Sequence, residues 1–181
     1  YACGIPFDSI QEGLKCFVGA GRRMEYKGRA FGADIYDDYG HHPTEVATTL
    51  DGVAKRATER LYCIFQPHTY TRTRALMEEF SQSFDSVDRV FIADIYPARE
   101  TDNLGISGKT LAIRIGDKAE YVSGFDNLAR EVSELLSSDD ILVGNGYREV
   151  WFYTGFDVDL VFIQGHPMGT HRHGPSVGQI E

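Results

Sequence analysis

The sequence predicts an α/β domain, a mostly parallel sheet doubly wound by helices on both faces, and three features predict it. Short apolar runs alternate with amphipathic stretches from Ile35 to Val143, the connections between them are brief, and 181 residues suffice for one packed core. Such alternation requires crossover connections, which place helices over both faces of the sheet.

Asp8 and Gln11, three residues apart, suggest a capped helix start, and Ile10, Leu14 and Phe17 repeat at helical spacing, so a helix is expected between Ile5 and Phe17. The run from Arg22 to Tyr36, broken at Gly28 and Gly32, reads as a lead-in hairpin. A strand end at Ile35 to Tyr39 precedes a helix from Pro43 to Arg60, then the apolar strand Leu61 to Phe65 and a helix from Thr71 to Phe84. Val90 to Ile95, Glu120 to Ser123 and Ile141 to Val143 read as strands, with helices at Ser107 to Ile115 and Asp126 to Leu136 between them. Residues 1–146 thus form one domain. Residues 147–164 are aromatic and β-rich, suited to an extra edge strand, while 165–181, with His166, His171 and His173 but no apolar periodicity, read as a flexible tail.

Composition narrows the partners. Twenty-seven acidic against eighteen basic residues give a formal charge of −9, which disfavours nucleic acid and anionic membrane and leaves small ligands. Cys3, Cys16 and Cys63 have no zinc or redox spacing and read as reduced thiols of a cytoplasmic protein. No apolar run is long enough to cross a membrane, and the N-terminus lacks the pattern of a signal peptide.

Ligands of an open parallel sheet collect at the carboxyl ends of its strands. The junctions there carry Asp37-Asp38-Tyr39-Gly40-His41-His42, then Gln66 to Arg74, then Asp94 to Glu100, then Gly144-Asn145-Gly146. Arg72 and Arg74 fall in the first turn of a helix, where the dipole disfavours cations, so an anionic partner is expected. Glu78 offers Arg74 an internal alternative, four residues on. Guanidinium forks hold carboxylates and phosphates, and His68 adds a donor or a proton-transfer group. His42 precedes Pro43 and fits a helix N-cap. Asp38 suits a ribose diol. His41, His42 and His68 with an aspartate admit a zinc hydrolase reading, although HExxH-type spacing is lacking, and no metal site is expected. No GxxxxGK[ST] loop, GxGxxG or GxSxG is present, so the polar rim resembles half of a site.

GAGRRME, DIYDDYGHHPTEV, FQPHTYTRTR and ADIYPARE, in this order over about residues 4 to 146, resemble the C-terminal domain of the Mur ligases, a Rossmann-like domain. The resemblance is strongest to the branch that joins L-alanine to UDP-N-acetylmuramate, with the murein tripeptide recycling ligases as the nearest alternative. It implies an ATP-dependent enzyme of three domains that phosphorylates a carboxylate to an acyl phosphate, which the amine then attacks. ATP and Mg2+ would be held mainly by the central domain, and the first domain would hold the UDP sugar. This chain would be the closing domain, starting in the helix that leads into it, and inactive alone.

Carried over by position, Arg23, Asp38 and Tyr39 would meet ATP. His41, His68 and Arg72 would be catalytic, and His68, Arg72, Arg74 and Glu100 would face the substrates. Many relatives carry arginine where this chain has Thr69, so one positive contact is missing or supplied elsewhere. After Gly144-Asn145-Gly146 the sequence departs from the family, whose last strand leads into a closing helix. A free-standing, non-catalytic binding module is a further reading.

Overall fold

A computed structural model describes residues 3–17 and 19–146, and the backbone of the strands at 148–154 and 158–164. The expected tail, 165–181, lies outside the described residues.

The elements run α1 (Phe7–Lys15), β1 (Glu25–Ala30), β2 (Ala33–Asp38), α2 (Pro43–Ala54), β3 (Leu61–Gln66), α3 (Tyr70–Ala75), α4 (Met77–Ser81), β4 (Arg89–Ile92), α5 (Gly108–Ile115), β5 (Ala119–Tyr121), α6 (Phe125–Leu135), β6 (Ile141–Gly146), β7 (Arg148–Thr154) and β8 (Val158–Gln164). Six strands form one sheet in the order β1-β2-β6-β3-β4-β5. β1 pairs antiparallel with β2, and the other neighbours are parallel.

The burial pattern follows from this order. Chain direction along the sheet advances from β2 through β3 and β4 to β5, then returns to place β6 between β2 and β3. Crossovers of one hand put advancing helices on one face and the returning helix on the other. Accordingly Val46, Leu50 and Val53 of α2, Phe80 of α4 and Leu111 of α5 pack on Leu61, Cys63, Phe65, Val90 and Val143. Leu128 and Val132 of α6 pack on Ile35, Tyr62, Ile64, Phe91 and Leu142. All six residues of β3 are buried, as a central strand covered on both faces requires. Burial pushes the Cys63 thiol up, so it is an inert core group.

Four parts of the chain differ from the sequence reading. α1 begins after Pro6 with no side-chain cap, so the Asp8–Gln11 box does not form, and it buries none of its residues. The helix expected over 71–84 breaks at Leu76, whose φ of −113° and ψ of 25° separate α3 from α4. α2 ends at Ala54 rather than Arg60. Beyond Gly146, β7 and β8 pair antiparallel with each other in a separate two-stranded sheet instead of extending the main one.

Candidate functional site

The carboxyl ends of β2, β6, β3 and β4 share one edge of the sheet, and the polar junctions meet there. At the end of β2 the chain turns tightly over Asp38. The Asp38 carboxylate accepts the Gly40 N–H at 2.7 Å, the Met24 N–H at 3.0 Å and the Asn145 amide at 3.4 Å. Gly40 is required because a Cβ there would stand 2.7 Å from Asp38 Oδ1 and 2.9 Å from Asn145 Nδ2. His42 caps α2, accepting the Thr44 N–H at 3.3 Å on Nδ1, with Pro43 in the first helical position. Glu45 completes the capping box: its Oε2 accepts the N–H of His41 at 3.1 Å and of His42 at 3.3 Å. The His41 N–H holds the Glu45 carboxyl below the usual range, against a smaller upward push from burial, and Arg23 Nη2 lies 3.6 Å from Glu45 Oε1.

Arg22 fastens this loop to the sheet. Its Nε pairs with buried Asp37 at 2.8 Å, its Nη2 donates to the Gly146 carbonyl at 2.9 Å, and its guanidinium lies 4.9 Å over the Tyr39 ring. Tyr39 in turn meets the His41 ring edge-on at 5.2 Å between centroids. His41 stands 6.3 Å from the His68 ring at 70°, and His68 stacks on Tyr96 at 5.4 Å and 11°. Tyr39, His41, His68 and Tyr96 thus form a continuous row of rings along the edge.

β3 delivers His68 to that row through Pro67, whose carbonyl accepts the Tyr96 N–H at 2.9 Å. Arg72, one helical turn later, donates from Nη1 to the His68 carbonyl at 3.1 Å and to its Nδ1 at 3.4 Å. Burial, then the Arg72 charge and then His41, lower the His68 pKa from its ordinary value, which favours the neutral ring. Glu100, from the loop after β4, accepts the Thr69 hydroxyl at 2.6 Å and the Thr71 N–H at 3.0 Å. The Thr69 hydroxyl in particular holds its carboxyl below the usual range. Glu100 therefore places an anion at the α3 N-terminus, bonded to Thr69 and Thr71 rather than to either arginine, and because α3 is only Tyr70–Ala75 both Arg72 and Arg74 lie in its last turn instead of the first turn expected.

The structure brings Tyr39, His41, His68, Arg72 and Glu100 together, with Arg23 beside them on Glu45. Asp38 is the exception among the expected nucleotide contacts: it is buried, and its oxygens are spent on Met24, Gly40 and Asn145. Arg74 is exposed on α3, and the Glu78 offered to it pairs with Arg114 of α5 instead. Asp94 serves structure, accepting the Tyr121 hydroxyl, Ser123 Oγ at 3.1 Å and the Gly124 N–H at the start of α6 at 3.2 Å. His42 is committed to its cap, so the three-histidine metal reading finds no support in the geometry. Among the described residues, no three His, Cys, Asp or Glu side chains gather to hold a metal ion.

Sequence reading gave no role to Arg22 or Glu45, and it placed Tyr96 on the rim without its stacking on His68. The capping-box spacing from His42 to Glu45 carried a signal for Glu45. Nothing local marked Arg22.

Among the described residues, no helix is long and apolar enough to cross a membrane. Comparison with known proteins places these residues in a family. The Mur ligase, glutamate ligase domain, matches residues 22–147. A UDP-N-acetylmuramate–L-alanine ligase of Clostridium kluyveri is 40% identical over 150 residues, covering 81% of this chain and 33% of the relative. Its namesake in Geobacter sp. (strain M21) is 42% identical over 153 residues, again covering 81% and 33%. The crystal structure of the UDP-N-acetylmuramate-alanine ligase of Thermotoga maritima superposes with a TM-score of 0.63 at 21% identity, over 80% of this chain and 31% of that one. A murein peptide ligase of Psychrobacter arcticus superposes with a TM-score of 0.60 at 25% identity, over 81% and 31%. The chain spans about a third of the length of these relatives. With the sheet order, the edge motifs and the matched span in agreement, this chain belongs to the Mur ligase family, as its C-terminal domain.

Proposed function

We propose that this chain is the closing domain of an ATP-dependent ligase that joins the amine of L-alanine to the carboxylate of UDP-N-acetylmuramate through an acyl phosphate, in peptidoglycan precursor synthesis in the cytoplasm. The observation that carries the reading is the convergence of His41, His68 and Arg72 on one edge of the sheet. Formation and aminolysis of an acyl phosphate both concentrate negative charge at one carbon centre, and fixed N–H donors aimed there lower the barrier.

In this reading Arg23 and Tyr39 face the nucleotide, and His68 and Arg72 face the muramoyl carboxylate and the amino acid. Glu100 holds Thr69 and the first turn of α3 in place. Asp38 shapes the loop that carries Tyr39 and His41, and Arg74 has no part. The phosphate loop, the UDP-sugar site and the ligands of a divalent metal such as Mg2+ belong to the N-terminal and central domains. The carboxylates along this edge already accept protein donors, so they do not form a metal cage. Closure of this domain over the others would exclude water from a hydrolysable intermediate.

The sequence relatives at 40 and 42% identity favour L-alanine as nucleophile. The superposition on the murein peptide ligase sustains a second reading, in which the amine belongs to a tripeptide. ADP release by the full-length protein separates them. Release that requires both UDP-N-acetylmuramate and L-alanine is expected. Release with the tripeptide but not with alanine assigns the recycling reaction, and no amide product with either amine overturns the ligase reading.

A further inference from the structure

A cavity of about 310 Å³ lies between α2 and the strands β2 and β6. Its floor is apolar: Met24, Tyr36, Val53 and Ile141 line it and pack with their other sides on the core of this face. Its wall is one stripe of α2, where Thr48 and Gly52 follow each other at a spacing of four residues and Arg56 continues the stripe in the turn beyond the helix. Thr49 stands beside Thr48 on the same wall. The cavity runs from Tyr36 toward Ile141, the first residue of β6, and Arg56 therefore sits toward the amino ends of the strands.

This stripe runs against what a helix selects for its own stability. Threonine is a modest helix former, and glycine in a helix interior ranks below every residue but proline. Close packing does not explain Gly52, because a Cβ there would meet nothing within 4 Å. The weak helix formers stand where the helix faces the cavity, and conflicts of this kind between local preference and fold gather at functional positions. The polar groups of the wall are also uncommitted. Among the described residues, nothing bonds to the Thr48 and Thr49 hydroxyls, which inside a helix commonly turn back to a carbonyl one turn earlier, and nothing pairs with the Arg56 guanidinium.

From this arrangement we infer that the slot between α2 and the sheet is a binding site for a small aromatic carboxylate, its ring on Tyr36 and Met24 and its acid group on Arg56. Size sets the ring count: ligand cavities run from about 300 to 1,000 Å³, so this one suits a single ring. The Tyr36 ring, braced by Tyr26 at 5.3 Å between centroids, gives an aromatic guest a face to pack against. A guanidinium fork matches the two oxygens of a carboxylate, and the threonine hydroxyls add donors or acceptors for substituents on the ring. From Thr48 to Arg56 the wall is about 12 Å long, enough for a ring and its acid group end to end. The inference is independent of the ligase reading, since none of these residues has a part in it.

Phenylacetate is the probe. Titrated into the 181-residue chain and followed by backbone 1H–15N spectra, it should give saturable shifts centred on Thr48, Thr49, Gly52 and Arg56. Phenylacetamide, which lacks the charge, and acetate, which lacks the ring, should each bind about tenfold more weakly or worse. Arg56→Gln should weaken phenylacetate about tenfold or more and leave phenylacetamide unaffected. Gly52→Leu places a helix-favouring side chain in the slot, so it should abolish the shifts without lowering the melting temperature. A titration with no saturable response overturns the site, as does binding that survives Gly52→Leu. Equal affinity for phenylacetate and phenylacetamide, or an Arg56→Gln chain that binds phenylacetate as the parent does, overturns the carboxylate assignment.

Discussion

Asp38 Oδ1 accepts the N–H of Gly40 at 2.7 Å, two residues further along the chain, so the loop bearing Tyr39 and His41 is wound around a buried carboxylate. Asp38→Ala leaves the N–H groups of Met24 and Gly40 without their acceptor, and each buried donor left unpaired costs about 1–3 kcal/mol. Chemical unfolding should register a loss of roughly 2–4 kcal/mol. A variant as stable as the parent would mean that the carboxylate does not organise this turn.

Gly40→Ala attacks the same arrangement from the other side, because its Cβ would press on Asp38 and Asn145. Overpacking of this kind costs about 1–3 kcal/mol. The companion change Gly52→Ala, in open space on α2, should be neutral or stabilising. Equal effects at the two glycines would remove the steric argument.

Glu45 couples a helix cap to the edge of the sheet. Glu45→Ala removes the acceptor of the His41 and His42 N–H groups and should cost about 0.5–2 kcal/mol, as lost caps do. Glu45→Gln keeps an acceptor and should recover most of that stability. Thermal melts of both variants provide the comparison.

The pH dependence of stability follows from the direction of each shift. Glu45 and Glu100 titrate below their ordinary value of 4.5 in the fold, so the unfolded chain binds their protons first. Their contribution is complete above about pH 4.5 and declines as pH falls through their folded values. His68 is also lowered, from 6.5, so protonation of the unfolded chain erodes stability as pH falls below about 6.5. The melting temperature should therefore begin to fall below pH 6.5 and fall further below 4.5. His68→Gln should flatten the first slope only, and Glu45→Gln with Glu100→Gln the second only.

The 181-residue chain holds a rim of cations and imidazoles but no phosphate loop. Alone it should show no alanine-dependent ATP hydrolysis, and measurable turnover by the purified chain would refute that expectation.

Much of the fold was legible because its cause is local. The apolar run from Leu61 to Phe65 reads as a strand since a sheet covered on both faces selects apolar residues without alternation, and the observed strand extends it by one residue to Gln66. Pro43 after His42 announced a helix start. The junction rule places His41, His68 and Arg72 at one edge, where the fold brings them together. Side-chain direction was less accessible. Asp37 and Asp38 are adjacent and both acidic, yet both turn inward, one to Arg22 and the other to backbone N–H groups from two segments. The bond from Glu100 to Thr69 spans 31 residues and depends on how the loop after β4 folds back. The break at Leu76 carries no Gly or Pro to mark it, and α1 shows the periodicity of a packed helix while burying nothing.

The proposed function requires an anionic substrate held against Arg72 at the rim of this sheet. Calorimetric titration of the full-length ligase with its anionic substrates, for wild type and Arg72→Ala, tests it most directly. A guanidinium bonded to a carboxylate or phosphate is worth about 1.5–3 kcal/mol, so affinity should fall roughly 10- to 150-fold, and Arg72→Lys should restore only part of it. An Arg72→Ala enzyme with unchanged affinity and unchanged rate would contradict the account.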